Sequence, residues 1–144
     1  MYTLEHRVRV YVFQVLGSEV QYLLLRQKPA AEWPLGPVIG TVGVGEHLHD
    51  TIVREVRAET GIQRPLHILE IAQPSKELFG DMGLIEWPFA YQAGTPNQPV
   101  LQLVPGPTVG ELAWMNFEAA YSRLEASVDR DSLVRLQLRL QSAG

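Results

Sequence analysis

Between residues 7 and 16 the chain alternates. Val8, Val10 and Val12 fall on one side and Arg9 and Tyr11 on the other, the two-residue period of a strand that buries one face. Gly17-Ser18 is a turn signal and residues 20–26 are a second apolar run, so the pair is expected as a hairpin. Residues 28–37 hold Pro29, Pro34, Gly36 and Pro37 and are expected as a loop. A short strand leads into Gly40, and a turn follows over 43–46. The period then changes. Residues 48–60 contain no Gly or Pro, Ile52 and Val56 lie four apart, Asp50 sits where the helix dipole favours an acid, and Gly61 stands at the expected stop. Further strands are expected over 66–72 and 84–93, with Pro88 marking the second as an edge or a bulge. Short strands are expected over 100–104 and 111–115, and helices over 117–126 and 131–141. Leu133, Leu136 and Leu140 make an apolar stripe that packs on the sheet or, alternatively, supports a homodimer. Strands interleaved with and followed by helices define a mixed α/β class. No internal repeat interrupts the pattern, and 144 residues suit one domain spanning 1–144.

Composition narrows the chemistry. There is no Cys, which excludes disulfides and thiolate metal sites. The formal net charge of −4 argues against nucleic acid as the main partner, because phosphate backbones need a basic face. It leaves room for a small phosphorylated substrate, since a divalent cation supplies positive charge locally. No apolar run approaches the roughly 20 residues that span a bilayer, and residues 1–9 lack the apolar centre of a signal peptide. A cytoplasmic location without membrane contact is the expectation.

The informative segment is 40–62, GTVGVGEHLHDTIVREVRAETGI. On a helical wheel with Ile52 at zero, Val56 falls at about 40° and Val53 at about 100°, while Glu59 falls at about 340° and Glu55 at about 300°. Two like-charged carboxylates four residues apart therefore lie beside the buried stripe. Such a pair costs an isolated helix about 0.2–0.5 kcal/mol, and partial desolvation adds to that. A hard divalent cation, which prefers oxygen ligands and keeps several waters, offsets the repulsion. Arg54, pairing with Glu46 or another acid, is the competing explanation, within a solvated Glu/Arg surface.

The same segment resembles the Nudix signature, a Gly, five residues, a Glu, seven residues, then Arg-Glu-apolar-any-Glu-Glu-any-Gly-apolar. The matching positions are Gly40, Glu46, Arg54, Glu55, Val56, Arg57, Ala58, Glu59, Thr60, Gly61 and Ile62, and only Ala58 departs, standing where the pattern has Glu. A match of so many points at fixed spacing is specific. The resemblance implies an α/β/α sandwich around a mixed sheet. It implies Mg²⁺-dependent hydrolysis (Mn²⁺ being an alternative) of a nucleoside diphosphate linked to another group, such as a nucleoside triphosphate. By position, Glu55, Glu59 and the Gly40 carbonyl hold the cation. Glu55 also helps to activate water, Arg54 orients a carboxylate, and Glu46 fixes the loop onto the helix. Arg26 and Lys28, at the end of the second strand, are expected to meet phosphates, and Trp33, Phe79, Trp87 and Tyr91 are candidates for stacking a ring. The selecting loops are expected at 28–37 and 73–83.

Ala58 implies fewer bound cations. Similar proteins that cleave pterin or nucleoside triphosphates often carry a Glu six residues before the late tryptophan, which is here Thr108 before Trp114; Glu111 and Glu86 are the substitutes at hand. These departures keep a second reading open, a degenerate Nudix domain that binds a nucleotide-like ligand without efficient hydrolysis.

Overall fold

The computed structural model describes all residues except 1, 2, 30, 31, 96, 101 and 144. The first hairpin forms as expected. β1 (Thr3–Leu16) turns through Gly17 into β2 (Glu19–Gln27), with Leu16 opposite Glu19 and Val12 opposite Leu23. The two strands then part. The N-terminal half of β1 pairs instead with β3 (Val38–Thr41), which places Gly40 opposite Val8. The helix α1 (Leu48–Thr60) matches its expected bounds and ends at Gly61. At φ 80° Gly61 is in the left-handed region, and a Cβ there would also lie 2.8 Å from Cβ of Val104, so only glycine closes this helix without strain.

β4 (Pro65–Glu70), β5 (Ser75–Phe79) and β6 (Met82–Ala93) follow. β6 runs parallel to β1 along eleven pairs, from Thr3–Met82 to Phe13–Gln92, and every other pairing is antiparallel. The sheet order is β4-β6-β1-β2, closed by β7 (Val109–Asn116), with β3 on β1 and β5 on β6. α2 (Phe117–Arg123) and α3 (Ser127–Ala143) complete the chain.

Strand alternation divides the apolar side chains between two cores. Val8, Val10, Val12, Leu23, Leu25 and Tyr91 face Ile52 and Val56 of α1. Tyr11, Phe13, Tyr22, Leu24 and Ala90 face Ala120, Leu133 and Leu136 of the last two helices. This is an α/β/α sandwich around a mixed sheet. The leucine stripe packs on the sheet, with Leu133 and Leu136 buried and Leu140 half-buried.

Several expectations need correction. Pro88 lies in an interior strand, not at an edge or bulge. It sits opposite Arg9 on one side, while on the other side β5 has ended its pairing at Ser75–Glu86 and β4 takes it up at Glu70–Phe89. Its missing N–H falls where β6 changes neighbours, so no ladder bond is lost. Residues 75–79 are a strand, not a loop. All five side chains are exposed, so no buried alternation announces them. Described residues between 100 and 104 form no strand. Val100 N–H donates to Oε1 of Gln14 and Val104 N–H to the carbonyl of Thr60, so the segment satisfies the end of α1. The helix expected over 117–126 stops at Arg123. Leu124 is extended and buried, and its carbonyl accepts from Arg130 Nε at 2.7 Å. α3 consequently starts four residues earlier than its leucine stripe indicates.

Candidate functional site

The loop between β3 and α1 is held by one carboxylate. Oε1 of Glu46 accepts from the Gly43 N–H at 3.0 Å and from the Thr51 hydroxyl at 2.6 Å. Both oxygens of Glu46 also meet Arg54, Nε to Oε2 and Nη2 to Oε1, each at 2.9 Å. Led by the Arg54 hydrogen bonds, these donors hold the Glu46 carboxyl at about 2, well below its ordinary 4.5. The helix begins at His47 without a side-chain cap, so Glu46 secures the turn that a capping residue would otherwise secure.

Arg54 has two further partners. Nη1 donates to Oε1 of Glu55 at 2.6 Å, and Nη2 to the carbonyl of Thr41 at 3.1 Å. One guanidinium thus joins the strand end, the loop and the helix, and its own pKa is raised by the two carboxylates, Glu46 first. Glu55 in turn lies flat against Gly40. A Cβ on Gly40 would overlap Cγ and Cδ of Glu55, so glycine is needed here for close approach. Glu59, one turn on, accepts from Gln27 Nε2 at 3.1 Å. Both glutamates are half-buried. The sequence expected Val53 in the buried stripe. It is half-buried, and Thr51 and Thr60 are buried instead, the Thr51 hydroxyl donating to Glu46 and the Thr60 hydroxyl to the carbonyl of Val56 one turn earlier.

The structure therefore brings Gly40, Glu46, Arg54 and Glu55 together, with Glu59 on the same helix where it meets the end of β2. Among the described residues, no group of three or more His, Asp or Glu side chains converges as a metal cluster. The donors available are two carboxylates and the main chain at Gly40, all hard oxygens. That set fits Mg²⁺, which retains water in much of its shell, and does not fit a soft metal. Ala58 is exposed on the adjoining face of α1.

A cleft of about 440 Å³ opens where β1 and β2 part. Its lining includes Arg26, Gln27, Trp33, Arg9 and Asp129 and, of the signature residues, Glu59 but not Gly40, Glu46, Arg54 or Glu55. Arg26 is paired with Glu111 through a 3.0 Å contact. Lys28 is exposed just past β2 and is not among the cleft-lining residues. Of the aromatic candidates, Trp33 lines the cleft, 51% exposed. Phe79 is exposed on the β5–β6 hairpin, Tyr91 is fully buried in the α1 core, and Trp87 stacks on His6 at 6.1 Å and donates to its Nδ1. Thr108 is exposed, and its carbonyl accepts from the Lys28 N–H. Glu111 is bound by Arg26 and Arg123, and Glu86 by Arg9 and Arg7. A separate depression of about 630 Å³, near 70–74 and Arg135, includes none of Gly40, Glu46, Arg54, Glu55 or Glu59.

Sequence reasoning missed Gln27, Thr51, Arg9 and Asp129. Thr51 lies inside the signature at an unspecified position. The Arg9–Asp129 contact joins residues 120 apart in the chain and leaves no local signal.

A NUDIX domain family model matches residues 5–137, so the chain belongs to the NUDIX domain family. Curated protein sequences gave no match. Solved structures share the fold at low identity. A NUDIX hydrolase from Listeria monocytogenes is 20% identical, with a TM-score of 0.78 over 96% of this chain and 95% of that one. The C. elegans Ap4A hydrolase is 14% identical, with 0.72 over 96% and 98%. The E. coli dihydroneopterin triphosphate pyrophosphohydrolase is 17% identical, with 0.70 over 91% and 94%.

Proposed function

We propose that the protein hydrolyses a pyrophosphate bond in a nucleoside triphosphate or a related nucleoside-diphosphate-linked compound, with Mg²⁺ as cofactor and Mn²⁺ as a substitute. The observation that carries this reading is the clamp of Arg54 on Glu46 and Glu55, with Glu55 pressed against Gly40. Glu55, Glu59 and the Gly40 carbonyl hold the cation. When bound, it lowers the pKa of a coordinated water and screens the phosphate oxygens.

The chain's own residues position the rest. Arg54 occupies Oε1 of Glu55 and leaves the carboxylate's other oxygen, which would either ligate the cation or accept the proton of the attacking water. Gln27 holds Oε2 of Glu59 and leaves Oε1. Glu46 keeps the loop closed on the helix, so the ligands are in place before substrate arrives. Arg26 meets the phosphates in this reading, which its place in the cleft lining supports, with Glu111 as its counter-charge. Lys28, outside the cleft lining, has no such support.

A second reading, nucleotide binding without efficient turnover, draws support from Ala58, which removes a carboxylate from the set. Phosphate or pyrophosphate release separates the two. The panel contains nucleoside triphosphates, nucleotide sugars, dinucleoside polyphosphates and dihydroneopterin triphosphate, each with Mg²⁺ or with EDTA. Hydrolysis of a panel member that stops with EDTA supports the enzyme. Binding of nucleotides in a thermal-shift assay with no release at high protein concentration favours the binding module.

A further inference from the structure

The two signature glutamates are held by different chemistry. Glu55 is bound by the Arg54 guanidinium, whereas Glu59 is bound by the side-chain amide of Gln27, Nε2 to Oε2 at 3.1 Å. Gln27 lies two residues beyond Leu25, so strand alternation puts it on the sheet face that α1 covers. There β2 ends, and its register with β7 shifts between Arg26 and Gln27. An amide donates a hydrogen bond without cancelling the charge of the carboxylate, as a Lys or Arg at this position would.

The bond is fixed from outside by the segment 104–108. Val104 N–H donates to the carbonyl of Thr60 at 2.9 Å and Gly106 N–H to that of Glu59 at 3.1 Å, so the segment takes up carbonyls that the last turn of α1 leaves free. The Thr108 carbonyl accepts from Lys28 N–H at 2.8 Å, and Val109 N–H donates to the Gly106 carbonyl at 3.1 Å, which folds the segment back on itself. A Cβ on Gly106 would lie 2.4 Å from the Ala58 carbonyl oxygen, so the close approach to the helix requires glycine. Strand end, segment and helix end thus form a ring of main-chain bonds, and Gln27–Glu59 is its side-chain link.

We propose that Gln27 is a positioning residue for the cation: held by the 104–108 segment, it fixes one oxygen of Glu59, leaves the other for the cation, and so sets cation affinity from outside the signature. The inference rests on the proposed role of Glu59 as a cation ligand. It adds that affinity depends on the end of β2 and on the glycine approach at 106. A glutamate without a partner gives up rotamer freedom when it ligates, and the Gln27 bond removes that cost beforehand. Partners that orient a ligand side chain are typically worth about 10–100-fold in metal affinity. Affinity is a property of binding and is measurable without turnover.

The test is Mn²⁺ titration of the whole protein, followed by electron paramagnetic resonance without substrate. The proteins are the wild type, Gln27→Met, Glu59→Gln and the double variant. Met has about the length of Gln and no donor. Gln27→Met should weaken Mn²⁺ binding about tenfold or more, with little change in the melting temperature in EDTA. In the Glu59→Gln background, where Glu55 and Gly40 remain, the same change should alter affinity by less than about twofold, because its effect runs through Glu59. Gly106→Ala should weaken binding in the wild type and add little to Gln27→Met. Binding by Gln27→Met within about twofold of the wild type overturns the proposal. So does an equal loss in the Glu59→Gln background, which would place the effect elsewhere. A wild type that binds no Mn²⁺ overturns this proposal and the cation reading together. The expected pattern of Mn²⁺ affinities without hydrolysis of any panel compound supports the proposal and counts against the proposed reaction alone.

Discussion

Arg54 and Glu46 form a two-point ion pair across the loop–helix junction, both contacts at 2.9 Å, and the same guanidinium reaches Glu55 at 2.6 Å. Glu55 is thus oriented by a residue whose own position is fixed by a third. Arg54→Ala should leave the fold intact, because the side chain is half exposed, and should free Glu55 to rotate away from Gly40. Misplacing a reacting group by about 1 Å costs on the order of 10²-fold in rate. We expect a loss of that order in kcat, with a small change in melting temperature. An unchanged kcat in steady-state assays would remove Arg54 from the positioning role.

The depressed pKa of Glu46 gives the loop an acid sensitivity. In the unfolded chain this carboxyl titrates near its ordinary 4.5, and in the folded chain at about 2. Its stabilising contribution is therefore complete above about 4.5 and is lost as pH falls through that window toward 2. Thermal melting followed from pH 6 downward, at about 0.1 M salt to screen long-range charge, should show a steeper decline in the wild type than in Glu46→Gln. Parallel declines would show that the Arg54, Thr51 and Gly43 contacts contribute little to stability.

Ala58 is exposed one face away from Glu55, at about 240° on the same wheel. Ala58→Glu should restore a carboxylate without disturbing the core. Mn²⁺ titration followed by electron paramagnetic resonance should then show tighter binding or an added site, and the rate at low Mg²⁺ should rise. Unaltered binding would mean that the missing ligand does not limit the cation set.

The parts of the fold that the sequence announces are those with a buried face. β1 and β2 alternate against two cores, and α1 carries its stripe and a glycine stop, so all three could be read locally. Ser75–Phe79 could not, because a wholly exposed strand has no pattern of burial. The described part of 100–104 looked like a strand by composition, yet its main-chain donors serve Gln14 and the end of α1. Likewise the break at Leu124 depends on burial of its side chain and on Arg130 binding its carbonyl. At the site, the Nudix spacing identified Gly40, Glu46, Arg54, Glu55 and Glu59 because all lie within one short segment. Gln27 reaches Glu59 from β2, and Arg9 meets Asp129 from the other end of the chain, so those partners emerge only once the sheet and α3 are assembled.

In the proposed reaction Glu55 and Glu59 hold the cation on which hydrolysis depends. The most direct test is initial rate against Mg²⁺ concentration, on a substrate from the panel, for the wild type, Glu55→Gln and Glu59→Gln. We expect no hydrolysis in EDTA, saturation with Mg²⁺, a fall of about 10²-fold or more for Glu55→Gln, and a higher Mg²⁺ requirement for Glu59→Gln. Hydrolysis that persists in EDTA, or a Glu55→Gln variant with the wild-type rate and Mg²⁺ dependence, would contradict it.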